Sequence, residues 1–135
     1  MKIQVLADRT IGSLQEEFHE KYPYLKLVFF SKPHKAFEGS PAKYILSTPE
    51  KTLGSIEANP HDGKISIDGE MPTWRLEQLF EKEFGLHVQV FRKSGTLWLE
   101  TSKTDQLTLQ EQNSKGRESD HIVQMQDVPE FREQP

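Results

Sequence analysis

Cysteine is missing from all 135 residues, which removes disulfides, thiolate metal sites and thiol nucleophiles from consideration. Long apolar runs are missing too. No window approaches the roughly 20 residues that a membrane-spanning helix needs, and Met1 to Asp8 hold too short an apolar run for a secretory leader. There is no excess of basic charge: 17 Lys and Arg stand against 21 Asp and Glu, a net charge of −4, whereas nucleic-acid binding is normally driven by clustered cations. Glycine is sparse and never gathers into a phosphate loop. Lys93-Ser94-Gly95-Thr96 reads as a hairpin turn, and Gly12-Ser13, Gly39-Ser40 and Gly54-Ser55 lack the Gly-x-Ser-x-Gly elbow of serine hydrolases. These absences predict a cytoplasmic protein with no membrane association and no cofactor.

What is present is a pattern written twice. Lys2-Ile3-Gln4-Val5 through Leu14, Phe18 and Tyr22 recurs as Lys64-Ile65-Ser66-Ile67 through Leu76, Phe80 and Phe84, at a constant offset of 62. Only four of these 21 aligned positions are identical, so the phase of the apolar positions carries the argument rather than identity. In the first copy Ile3 and Val5 alternate as in a strand with one buried face. Asp8-Arg9-Thr10 then supplies N-cap chemistry, with Ser13 and Glu16 spaced for a capping box. Ile11, Leu14, Phe18 and Tyr22 repeat at helical spacing up to Pro23. Leu25, Leu27 and Phe29 form a second strand, and a third is expected around residues 43–47.

The second copy follows the same course. Asp62-Gly63 marks a turn, Ile65 and Ile67 a strand, and Pro72 a helix start. Leu76, Leu79, Phe80 and Phe84 form an apolar stripe, and Gly85 ends that helix in the left-handed conformation. Leu86, Val88 and Val90 alternate next, with Leu97 and Leu99 expected to continue the inward face and Trp98 to point the other way. Deleting one residue at the helix end brings Leu25, Leu27 and Phe29 into register with Leu86, Val88 and Val90.

Similar phrases follow the third strands: Thr48 to Leu53, and Thr104 to Leu109. Helix, two strands and a Thr-Leu turn, with the phrase Thr52-Leu53-Gly54-Ser55-Ile56, resemble the later part of the ubiquitin-like β-grasp fold over about 50 residues per copy. The chain departs from a protein modifier at Arg132-Glu133-Gln134-Pro135, where no Gly-Gly stands, so conjugation is not implied. Two such units followed by Lys103-Thr104 and Thr108 to Asn113 also resemble small bacterial proteins for which no activity is assigned.

The fold expected is α+β: two βαββ pseudo-repeats, residues 1–62 and 63–112, packing two helices on one side of a mainly antiparallel sheet arrangement. The second unit needs a closing strand, supplied either by the N-terminal strand or by residues 121–125; the first requires no order in the tail and is preferred. From Gln110 onward only Ile122, Val123, Met125, Val128 and Phe131 are strongly apolar, so residues 113–135 are expected to form a flexible polar tail.

Candidate chemistry is thin. Histidines 19, 34, 61, 87 and 121 lack metal-ligand spacing, and Glu16, Glu17, Glu20, Glu77, Glu81 and Glu83 fall at solvent-face positions of the helices. No catalytic, metal or cofactor residue is assigned. The outer sheet face is the exception: alternation sends Val28, Phe30, His87, Phe91 and Trp98 away from the helices, while the phase of Tyr44 against Ile45 stays open. Aromatic rings on a solvated face imply a cover. Phe37 of loop 31–41 or Phe131 of the tail is one candidate, and a partner protein or a second copy is the other. The expected function is a non-enzymatic protein-interaction module, self-association included. The alternatives are a single-stranded nucleic-acid-binding module using Lys32, His34, Lys35 and Arg92, or a small enzyme with its site in loop 31–41.

Overall fold

Among the described residues, two short antiparallel sheets and three α-helices make up the fold. A computed structural model describes residues 1–33, 39, 41–57 and 59–126, with side chains as far as Ile122. Strand β1 (Lys2–Val5) is followed by α1 (Ile11–Lys21) and β2 (Leu25–Phe30). Strand β3 (Gly63–Ser66) is followed by α2 (Thr73–Phe84), β4 (His87–Ser94), β5 (Leu97–Glu100) and α3 (Leu109–Gln126). One sheet pairs β1 with β3; the other has the order β2-β4-β5. Among the described residues no helix is long and apolar enough to cross a membrane.

Local chemistry accounts for the helix limits. Thr10 is extended and its hydroxyl accepts the Ser13 N–H at 3.2 Å, satisfying one of the unpaired donors at the start of α1. Ser13 does not cap a later turn with Glu16; its Oγ donates to the Thr10 carbonyl instead. Pro72 fills the corresponding cap of α2, where its fixed φ of −60° suits the entry. Gly85 ends α2 at φ 65° and donates to the Glu81 carbonyl, the left-handed conformation that costs glycine least.

The apolar stripes meet in one core. Ile11, Leu14 and Phe18 of α1 and Leu76, Phe80 and Phe84 of α2 pack with Ile3, Ile65, Leu25, Leu27, Phe29, Val88 and Val90 of the strands. Phe29 and Phe80 meet edge to face at 6.3 Å, a geometry that contributes beyond area burial. Each such side chain, fully removed from water, contributes roughly 1.5–3 kcal/mol.

The register has a regularity of its own. Ile3 lies opposite Ile65, and Val28 opposite Gln89; in each pair the partners are the residues matched by the sequence alignment. Backbone hydrogen bonds recur likewise. Ile11 donates to Lys51 O (2.8 Å) and Thr73 to Leu107 O (2.9 Å); Leu53 donates to Arg9 O (2.8 Å) and Leu109 to Met71 O (3.0 Å).

Four expectations need correction. Residues 43–47 do not form a strand: Ala42–Tyr44 is a single 3₁₀ turn, and only Ile45 bridges Phe30. The N–H groups of Tyr44 and Ile45 turn back to the carbonyls of Pro41 and Ala42, at 3.0 and 3.1 Å, so the turn uses donors that a longer ladder would need. The polar stretch after residue 112 is helical through Gln126, and residues 121–125 are helix rather than a closing strand; β1 pairs with β3. A capping box starts α3: Thr108 Oγ1 accepts the Glu111 N–H, and Glu111 Oε1 accepts the Thr108 N–H. The helix is then held by polar contacts, from Tyr24 N–H to Asn113, Arg92 to Gln112 and Gly95 N–H to Ser119. Leu97 and Leu99 are 63% and 45% exposed; they lie opposite Ser94 and Arg92, past the end of the apolar core. Finally, Glu77 is buried rather than solvated, because its carboxylate accepts the Val90 N–H at 2.9 Å.

A candidate groove on the outer sheet face

Residues directly opposite one another in an antiparallel pair share a face. The pairs Lys26 with Phe91, Val28 with Gln89, Phe30 with His87, and Trp98 with Lys93 therefore put Val28, Phe30, His87, Phe91 and Trp98 on one side of β2-β4-β5. The structure does not leave that side uniformly open. Phe30 and Gln89 are buried, whereas Val28, His87, Phe91 and Trp98 are partly exposed. Gly39 lies against Glu100 and Ser102 at the β5 side. Phe37 and Phe131, the expected covers, lie outside the described residues.

At the β2 side the face becomes a groove of about 520 Å³. Strand β2 lines it with Lys26, Leu27 and Val28, α1 forms one wall with Gly12, Gln15, Glu16 and His19, and Ile45, Leu46, Ser47 and Pro49 complete the lining. Trp98 of β5 also lines the groove. Its ring lies 6.0 Å from that of His19, edge to face, and carries the Lys26 ammonium 4.8 Å from its centroid. A cation over a tryptophan face is attracted by the ring quadrupole.

Hydrogen bonds hold the α1 wall to the sheet edge. Gln15 Nε2 donates to Leu27 O at 2.9 Å, and His19 Nδ1 lies 2.8 Å from Leu25 O. A carbonyl can only accept, so Nδ1 carries the hydrogen and Nε2 is left as the open ring nitrogen. Burial pushes the Lys26 ammonium below its ordinary pKa, since a partly desolvated cation favours its neutral form. Among the described residues no carboxylate forms an ion pair with Lys26.

Comparison with protein-family models, with curated proteins and with solved structures finds no match to this chain. The groove therefore has to be read from its own chemistry. Among the described residues no group of three or more His, Asp or Glu side chains is placed to hold a metal ion.

Sequence reasoning found Trp98 and Val28 but missed His19, Gln15 and Lys26. Lys26 shares the alternation phase of Val28 and was legible on that ground; His19 depends on where α1 sits beside β2, which no local pattern encodes. The cations named for nucleic-acid binding do not gather here. Arg92 is on the opposite face, paired with Leu25 and Leu99 and bonded to Gln112. Lys32 lies over Tyr44, 4.9 Å from the ring centroid, and His34 and Lys35 lie outside the described residues. His87 is engaged by Glu81 on the outer face at 2.5 Å.

Proposed function

We propose that this protein is a non-enzymatic protein-interaction module that meets its partner on the outer face of β2-β4-β5, with Trp98 as the anchor. The groove carries this reading. It offers a large ring, apolar side chains and a cation within a volume of about 520 Å³. Tryptophan is enriched among residues that dominate interface energy. Self-association through the same face belongs to this reading. The separation of Arg92 from the aromatic residues gives the nucleic-acid alternative no support.

The test is Trp98→Ala in the full chain, set beside wild type in affinity capture from the native host and in sedimentation at several concentrations. Loss of a specific partner, or of a dimer, at unchanged melting temperature supports the reading. Capture and sedimentation that are both indifferent to Trp98 reject it.

We further propose that the chain consists of two pseudo-repeats, βαβ in the first half and βαββ in the second, related by an approximate two-fold axis and each β-grasp-like. Support comes from the self-matched pairs Ile3/Ile65 and Val28/Gln89 and from the recurring hydrogen bonds at the helix starts. One relation between sites in the two halves follows. Position 19 of α1 corresponds to Glu81 of α2, and Lys26 of β2 to His87 of β4.

A further inference from the structure

The two corresponding pairs are chemically unlike. In the second half the helix supplies a carboxylate, Glu81, and the strand supplies a ring, His87, held at 2.5 Å. The acid and its partner satisfy each other on the protein's own surface. In the first half the helix position is His19, and its Nδ1–H is committed to the Leu25 carbonyl. The strand position is Lys26, whose nearest special contact is the Trp98 ring. A cation thus stands in a partly desolvated groove without the acid that its counterpart has.

Resting on the proposed role of this face, we infer that the groove recognises an acidic peptide segment of a partner protein, one that carries an Asp or Glu beside a large apolar side chain. The ligand carboxylate pairs with Lys26, taking the part that Glu81 plays for His87. The apolar side chain lies along Val28, Ile45, Leu46 and the Trp98 ring. An isolated ammonium over an aromatic ring makes a stronger pair with a carboxylate than a fully hydrated lysine does, because part of its desolvation has already occurred in the free protein. Glu16 also lines the groove and repels a purely anionic ligand, so the apolar half of the segment is required. With Nδ1–H committed to the Leu25 carbonyl, Nε2 is the His19 ring nitrogen left to meet the same ligand.

The inference makes an unusual variant informative. His19→Glu would install in the first half the acid that the second half already has; Lys26 would then be answered internally and the groove closed to acids. The probe is a random-peptide phage library panned against the full-length protein. Selected peptides are measured by fluorescence anisotropy against wild type, Trp98→Ala, Lys26→Gln and His19→Glu, each first shown to be folded by circular dichroism.

The expected result is a set of Trp98-dependent peptides rich in Asp or Glu next to a large apolar residue. Binding should fall about tenfold or more with Lys26→Gln, with His19→Glu, and with neutralisation of the acid in the peptide itself, the scale of one charge-assisted hydrogen bond. The last arm leaves the protein untouched and is immune to any folding defect. Trp98-dependent peptides without an acid, or acidic peptides indifferent to both Lys26→Gln and His19→Glu, would overturn the acidic chemistry and leave the binding face standing. No Trp98-dependent peptide at all would overturn the binding face as well.

Discussion

Gln15 and Glu77 stand 62 residues apart and both tie their helix to a strand, but with opposite hydrogen-bond polarity. Gln15 donates to the Leu27 carbonyl, and Glu77 accepts from the Val90 N–H, both at 2.9 Å. The two side chains are therefore not exchangeable. Gln15→Glu removes the donor and sets a carboxylate against a carbonyl, which should cost about 1–3 kcal/mol. Glu77→Gln keeps an acceptor oxygen for Val90 and should cost less. Chemical denaturation of the two variants gives the ranking; a larger loss for Glu77→Gln would contradict this account.

Gly116→Ala should destabilise the protein, reversing the gain of about 1 kcal/mol usual for alanine over glycine inside a helix. A Cβ there would meet Tyr24 Cβ at 2.7 Å and Tyr24 O at 3.0 Å, and both belong to the rigid entry to β2. Since α3 touches that entry through Gly116, the variant should loosen the whole helix. Hydrogen exchange of the α3 amides, compared with those of α1, checks this directly.

Leu99→Ala should change stability by no more than about 0.5 kcal/mol, as for ordinary surface sites, whereas Leu25→Ala should cost about 2–5 kcal/mol. Leu99 is 45% exposed and Leu25 is fully buried. The contrast separates residues that merely share an alternation phase from residues that reach the core, and equilibrium unfolding of the two variants measures it.

Alkaline pH should unfold the protein partly through Tyr22. Burial first, and the charge of Asp68 second, push its phenol above the ordinary value. A group whose pKa is raised by folding lends stability that is fully present below its unfolded value, about 10 for tyrosine, and lost as pH rises through the folded one. Melting temperature should thus fall above about pH 10, and Tyr22→Phe should flatten that decline. Phenolate absorbance followed alongside the melts tests the assignment.

The helices α1 and α2, their ends and the strands between them were legible in the sequence because one-sided burial imposes a period that few other arrangements produce. Gly85 was legible because little else tolerates its φ. Helix α3 was not: counting apolar residues is blind to a helix started by Thr108 and Glu111 and docked through Asn113, Gly116 and Ser119. The strand expected at residues 43–47 failed for a complementary reason, since alternation does not show that the N–H groups of Tyr44 and Ile45 turn back to the carbonyls of Pro41 and Ala42. In the candidate groove, alternation delivered Val28 and Trp98. The wall carrying His19 depends on a contact between α1 and the edge of β2, which is tertiary and leaves no trace in the spacing of residues around it.

The pairing of Ile3 with Ile65 and of Val28 with Gln89 has a consequence for how the chain comes to be made. Neither sheet can be assembled from one half alone. As the polypeptide leaves the ribosome, the edge of β1 waits for residue 66 and that of β2 for residue 92 before their ladders are complete. During that interval two strands carry unanswered N–H and C=O groups beside apolar side chains, the condition under which nascent chains pair with each other instead. Contacts so distant along the chain also slow folding. Synthesis conditions that stall between the halves should therefore yield aggregate rather than a half-folded intermediate.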